Sequence, residues 1–214
     1  MRLKQRITEA TERLISIDYL NEHIHKDCKK SFSLIHGNQP MGRGLEGYYP
    51  IAIKNVRKDR KSIGMEQHEA DALNKELQKH GHIRRDVSLF CTSMPENSGA
   101  FGRPYLVFPL DPIKGYTWIE TQDINITSGN WSSQIISAWY NAEIMGSNKP
   151  QYSNILKANL KKPFLEHFHT NTGFDTAYQH GYELWFECNK YYYLRMREYE
   201  WDISKQMVVS KGWK

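Results

Sequence analysis

Near its C-terminal end the chain carries two aromatic-rich runs, Tyr182-Glu183-Leu184-Trp185-Phe186-Glu187-Cys188 and Tyr191-Tyr192-Tyr193-Leu194, separated only by Asn189-Lys190. Both are rich in residues that fit a pleated, half-buried surface and both are short, so they read as strands over 183–188 and 191–195. The two residues between them predict a hairpin turn. A third strand is expected at 206–210. Upstream, Tyr105-Leu106-Val107-Phe108 is an unbroken apolar run stopped by Pro109, the pattern of a central strand buried on both faces. Segments 48–56, 87–91 and 115–126 read as further strands.

Helical signals fall elsewhere. Leu3, Ile7, Ala10, Leu14, Ile17, Tyr19 or Leu20, and Ile24 recur at steps of three and four and predict an amphipathic N-terminal helix. Strong helix formers fill 65–77 and end before Gly81. Apolar spacing predicts a helix at 132–145, and helical spacing recurs over 153–168 with an interruption at Pro163. Glycines and prolines between Gly37 and Gly47, and again over 94–102, mark loops. Strands and helices do not alternate regularly, so the class expected is α+β rather than a doubly wound parallel sheet. A length of 214 residues supports one substantial core. The division expected is an N-terminal helix and loop extension over 1–47 and a main domain over 48–214.

Aromatic residues make up 13% of the chain, which argues against disorder despite a mean hydropathy of -0.70. No run is apolar for long enough to span a bilayer, and none reads as a signal peptide, so a cytoplasmic protein with no membrane partner is expected. Cys28, Cys91 and Cys188 are odd in number and irregular in spacing, which predicts small buried hydrophobes rather than a disulfide framework or a zinc knuckle. The net charge of +5 and pI near 9.0 favour polyanionic partners.

Three segments carry candidate chemistry, in a fixed order. Val56-Arg57-Lys58-Asp59-Arg60-Lys61 follows an apolar strand, so Arg57 or Arg60 is expected beside a cleft, while Lys58 and Lys61 read as a solvated face. In Leu89-Phe90-Cys91-Thr92-Ser93, strand alternation places Cys91 and Ser93 on one face and Phe90 and Thr92 on the other. Alternation likewise groups Glu183, Trp185 and Glu187 against Leu184, Phe186 and Cys188. A carboxylate at Glu183, between Tyr182 and Leu184, is costly unless it is exposed or used. A guanidinium, strand-end hydroxyls and a carboxylate are the groups that cleavage of NAD at its nicotinamide bond needs. The carboxylate stabilises an oxocarbenium-like ribose, and the planar fork of Arg matches a pyrophosphate.

Other chemistries lack support. His68 lacks the second His one turn later that a zinc helix requires, and the remaining histidines, His167 and His169 included, are scattered. Neither a dinucleotide fingerprint nor a phosphate-binding P-loop motif occurs.

On these segments the chain resembles the ADP-ribosyltransferase superfamily in its Arg–Ser–Glu branch, and in particular the small transferase-like proteins of bacteriophages and toxin systems. The likeness runs from about Tyr48 to Leu194. It takes in Arg57-Lys58-Asp59-Arg60-Lys61, the helix with His68 and Leu73-Asn74, Leu89 to Ser93, Ala100-Phe101-Gly102, Tyr105 to Pro109, and Glu183 to Cys188. The resemblance implies a split, mostly antiparallel β-sandwich with an N-terminal helix and peripheral helices, clasping NAD as co-substrate. It implies Glu183 and Ser93 as catalytic residues and places Arg57, Arg60, Cys91, Thr92, Phe101 and Tyr105 around the cofactor, with no metal. Two departures stand out. Cys91 replaces the first Ser of the family's segment, with Ser93 on the same face as its substitute. Gly181 stands where enzymes modifying Arg carry Glu or Gln, which disfavours an Arg acceptor.

The expected function is therefore mono-ADP-ribosyl transfer from NAD onto a macromolecular acceptor, whether DNA, RNA or a host protein, in a phage, toxin or defence setting. The alternative is a non-enzymatic nucleic-acid or host-protein binder on a degenerate transferase fold. An assembly protein that oligomerises through its N-terminal helix is a further reading.

Overall fold

The computed structural model describes residues 12–36, 39–45, 47, 49–58, 65–96, 98, 102–121, 133–146, 154–155 and 162–211. Within them two antiparallel sheets stack face to face and helices cover both outer faces, an α+β architecture.

Sheet I has five strands. In spatial order they are β1 (Glu12–Leu14), β3 (Ile51–Asn55), β9 (Lys190–Arg195), β5 (Arg103–Pro109) and β2 (Met41–Leu45). Sheet II has four: β4 (Leu89–Cys91), β8 (Glu183–Glu187), β6 (Gly115–Ile119) and β7 (Phe168–Thr170). Every pairing in both sheets is antiparallel. The sheets meet at one bridge, where Gly42 and Thr92 exchange backbone hydrogen bonds of 2.7 and 2.9 Å. A β-carbon on Gly42 would lie 2.2 Å from Pro95 Cα, so only glycine admits this crossing.

The alternation of each strand sorts side chains into three cores. Between the sheets, Leu89, Cys91, Leu184 and Phe186 of sheet II meet Met41, Ala52, Tyr105, Val107 and Tyr193 of sheet I. On the outer face of sheet II, Trp185, Ile119 and Phe168 pack under α3 (Gln67–Lys79) and α4 (Ser133–Trp139) through Leu73, Leu77, Ile136 and Trp139. On the outer face of sheet I, Ile51, Leu106, Phe108 and Tyr192 pack under α1 (Ile17–Asp27) and the hairpin of β10 (Tyr199–Asp202) and β11 (Met207–Ser210). Two short helices, α2 (Lys29–Ile35) and α5 (Phe174–His180), contact one another beside the inter-sheet core.

The structure revises three expectations. The predicted N-terminal helix begins only at Ile17, where the hydroxyl of Ser16 accepts the Tyr19 N–H at 3.0 Å and caps it. Glu12–Leu14, inside the expected apolar stripe, is instead the edge strand β1 paired with β3, and residues 1–11 lie outside those described. Consequently the expected extension is woven into the sandwich, because β1 and β2 form the two edges of sheet I.

The third revision matters most. β8 and β9 do not form a hairpin. The chain crosses from sheet II to sheet I through Cys188-Asn189, and each strand becomes an interior member of its own sheet. Burial explains this: Glu183–Phe186 and Tyr191–Leu194 are buried without interruption, which a two-stranded ribbon with a solvated face does not require. Among the described residues no helix is long and apolar enough to cross a membrane.

Candidate functional site

Glu183 opens β8 and projects from the outer face of sheet II, as Trp185 does two residues on. Its position follows from the turn before it. Gly181 ends α5 at φ 66, its N–H bonding Tyr178 O, and a β-carbon there would strike Met94 Sδ at 2.6 Å. The Glu183 N–H then bonds Thr121 O at 2.7 Å, beyond the end of β6.

The carboxylate meets a guanidinium, that of Arg85. Arg85 Nη2 donates to Glu183 Oε1 at 2.9 Å, and the two side chains are only 12% and 10% exposed. Arg85 comes from the loop after α3, fixed where its backbone N–H donates to the buried Asn74 Oδ1 at 2.8 Å. Trp185 Nε1 donates to Ile83 O at 2.7 Å and pins the same loop to the sheet. The guanidinium lies 4.9 Å from the ring centre of Phe90 and 5.9 Å from that of Trp185, with Nε buried and without a hydrogen-bond partner among the described residues. Sequence reasoning missed Arg85 because a loop has no periodicity; the Arg84-Arg85 pair was its only trace.

Strand β4 supplies hydroxyls beside this pair. Phe90 faces Trp185 and Cys91 faces Leu184, and just past the end of β4 Thr92 bridges to Gly42 of sheet I. The Thr92 hydroxyl donates to Gly181 O at 3.4 Å and accepts the Met94 N–H at 3.1 Å. Cys91 is buried in the inter-sheet core. The Ser93 hydroxyl donates to Tyr178 O. The Thr92 and Ser93 hydroxyls thus both reach backbone carbonyls of the α5–β8 turn that leads into Glu183.

Arg57 lies apart from Glu183. The Val56 N–H donates to Asn189 O at 2.8 Å, so the exposed Arg57 leaves sheet I at the far end of β8, about 13 Å of strand from Glu183. Tyr105 sits in the inter-sheet core, its hydroxyl donating to Gly47 O and accepting from Arg195 Nε, both at 3.1 Å. Arg60 and Phe101 lie outside the described residues.

A second guanidinium does reach the sheet crossing. Arg43 shares the face of Met41 and Leu45 on β2, next to the Gly42–Thr92 bridge. Its Nη1 donates to Phe90 O at 3.0 Å, while its buried Nε has no hydrogen-bond partner among the described residues. It approaches β4 from the side opposite Glu183.

Beyond Ile119, the partner of Glu183 across the sheet, lies an unpredicted cluster. Glu120 Oε1 accepts from Lys162 Nζ at 2.7 Å and lies 2.8 Å from His169 Nε2, and Oε2 lies 2.7 Å from His167 Nδ1. Burial alone would raise the Glu120 pKa, but the hydrogen bonds from Lys162, His169 and His167 outweigh it and hold the carboxyl at about 2. Burial lowers the pKa of His167 despite its carboxylate neighbour. The histidines appear scattered in sequence because their carboxylate comes from another strand. Burial also pushes the Cys188 thiol up to about 12, which removes it as a nucleophile.

No family model, curated protein or solved structure matches this chain.

Proposed function

We propose that the protein transfers ADP-ribose from NAD to a macromolecular acceptor, using Glu183 as its carboxylate, on a sandwich of the ADP-ribosyltransferase kind. The observation that carries this reading is the adjacency of β4 and β8: the hydroxyl-bearing end of one strand and the carboxylate opening the other lie side by side. In the reaction, the bond between nicotinamide and C1′ of ribose breaks, nicotinamide departs with the bonding electrons, and an acceptor nucleophile bonds to C1′ and loses its proton. Glu183, ion-paired to Arg85, stabilises the positive charge developing on ribose. Thr92 limits the approach beside it. The basic charge and Gly181 favour a nucleic-acid base or a non-Arg side chain as acceptor.

One observation favours a second reading, a non-enzymatic binder on the same fold. The Arg85–Glu183 pair is nearly buried under the α3 and α4 layer, as a purely structural ion pair would be.

Nicotinamide release and calorimetric titration with NAD separate the two. The transferase reading expects saturable NAD binding and nicotinamide release that Glu183→Gln abolishes while the thermal melt shows a folded protein. Activity undiminished in that variant overturns the assignment of Glu183. Absence of NAD binding by the intact chain leaves the binder.

A further inference from the structure

On the opposite side of the molecule, the outer face of sheet I and helix α1 enclose an open groove of about 470 Å³. Its floor follows from register. Arg13 on β1 faces Ile53 on β3, and Ile53 faces Tyr192 on β9, so the three share one rung and one face. Lys190 lies two residues along β9 from Tyr192 and returns to that face. Two strand spacings across and two residues along put the Arg13 and Lys190 Cα atoms about 12 Å apart, within converging reach of their long side chains. Leu110, whose N–H bonds Lys190 O at 3.0 Å, extends the apolar floor, and Tyr19 and Asp27 of α1 form the wall.

The donors are available for a ligand. Arg13 gives Nη2 to the Tyr19 hydroxyl at 3.0 Å, its guanidinium 5.3 Å from the Tyr19 ring centre, and has no carboxylate partner among the described residues. Lys190 is exposed and makes neither a side-chain hydrogen bond nor an ion pair among the described residues. The one carboxylate, Asp27, accepts the Tyr192 hydroxyl at 2.5 Å.

We propose that this groove binds a nucleoside monophosphate unit, either as a free nucleotide or as one residue of a single-stranded nucleic acid. The phosphate takes the fork of Arg13 and the point charge of Lys190. The base lies on the half-buried side chains of Ile53 and Leu110, beneath which the buried Tyr192 ring packs. Asp27 accepts from a ribose hydroxyl or a base amino group. A bare anion uses neither the floor nor Asp27, which repels it, and a wholly apolar ligand leaves both cations unused. The volume falls within the roughly 300–1,000 Å³ of small-molecule sites. The inference does not rest on the NAD reading, because the groove and Glu183 lie on different sheets and face opposite ways.

The test uses the full chain, with AMP, inorganic phosphate and a short single-stranded oligoadenylate titrated by calorimetry. Saturable AMP binding well above that of phosphate is expected, and Arg13→Gln or Lys190→Gln should each weaken it roughly tenfold or more, the loss of one charge-assisted contact. Thermal melts of the two surface variants check that they fold. AMP binding tighter than the oligonucleotide identifies free nucleotide as the source. Tighter binding of the oligonucleotide, with the same sensitivity to both variants, identifies a strand. Equal binding of phosphate and AMP, no binding of either nucleotide probe, or binding indifferent to both substitutions overturns the proposal. AMP binding abolished by Glu183→Gln also overturns it, since that result locates the ligand at the other site.

Discussion

Replacing Arg85 with Met tests whether the ion pair at the head of β8 holds a carboxylate that the protein would not otherwise tolerate. Met keeps most of the length packed against Phe90 and Trp185 but removes the charge. The Glu183 carboxylate, with a side chain 10% exposed, then loses the guanidinium 2.9 Å away. Stranding one partner of a buried pair costs roughly 3–5 kcal/mol. Loss of the cation over Phe90, 4.9 Å from its ring centre, adds about 0.5–1 kcal/mol. For a chain of this length each kcal/mol shifts the melting temperature by about 2–4 °C, so a fall of roughly 7–24 °C is expected. The double variant with Glu183→Leu should recover at least about 2 kcal/mol relative to Arg85→Met alone, because apolar residues of similar volume replace buried ion pairs at little cost. Urea unfolding followed by tryptophan fluorescence measures all four proteins, with Trp185 itself beside the substitution. A cost below about 1 kcal/mol for Arg85→Met, or single costs that simply add in the double variant, would refute the buried-pair reasoning and leave a contact of surface strength.

Acid should destabilise the fold in two stages. Burial lowers the pKa values of His82 and His167 below the ordinary 6.5, so the unfolded chain takes up these protons first; stability is complete above about pH 6.5 and falls as pH drops through the lowered folded values. Glu120, held at about 2 against an ordinary 4.5, keeps its contribution above 4.5 and loses it between 4.5 and 2. Melting temperatures between pH 8 and pH 3 should show both steps, and a His82→Gln, His167→Gln double variant that retains the whole upper step counts against the assignment. Gly42→Ala should cost about 1–3 kcal/mol, since its β-carbon meets the Pro95 backbone at 2.2 Å and forces apart the bridge joining the sheets. Equilibrium unfolding showing an unchanged midpoint would mean that the bridge opens freely.

The strands were legible where burial on both faces left an unbroken apolar run, as in Tyr105–Phe108 and Tyr191–Leu194, and α3 was legible from its run of strong helix formers. The α+β class followed from their order. Pairing was not legible, because a strand buried on both faces advertises that it is central without saying in which sheet. Tyr199-Glu200-Trp201-Asp202 carries a period of two that marks β10, yet it is too short and too polar to stand out beside its neighbours. At the site, alternation grouped Glu183 with Trp185, but only the β4–β8 register set Phe90 beside Trp185 on that face. Arg85 and the Glu120 partners stayed hidden because each joins its site across many residues of chain, by a loop in one case and by β7 in the other.

One feature of the topology sets Arg57 and Arg43 at opposite ends of the sandwich. β3 runs antiparallel to β9 with Asn55 opposite Lys190, so whatever follows β3 must emerge beside the crossover at Cys188-Asn189. That crossover begins at the end of β8 opposite to Glu183, and no rotation of the Arg57 side chain removes a separation of about 13 Å set by four strand steps. β2 has the other geometry. It pairs with β5, which pairs with β9, and its Gly42 lies level with Leu194 at the distal part of β9, where sheet I crosses the Thr92 end of sheet II. A guanidinium on β2 is thereby carried to the Thr92 end of sheet II by backbone pairing alone, on the side of β4 opposite Glu183. Order along the sequence pointed to the arginines after β3; antiparallel register instead brings the arginine on β2 to this end of sheet II, and register rather than order decides which groups come near one another.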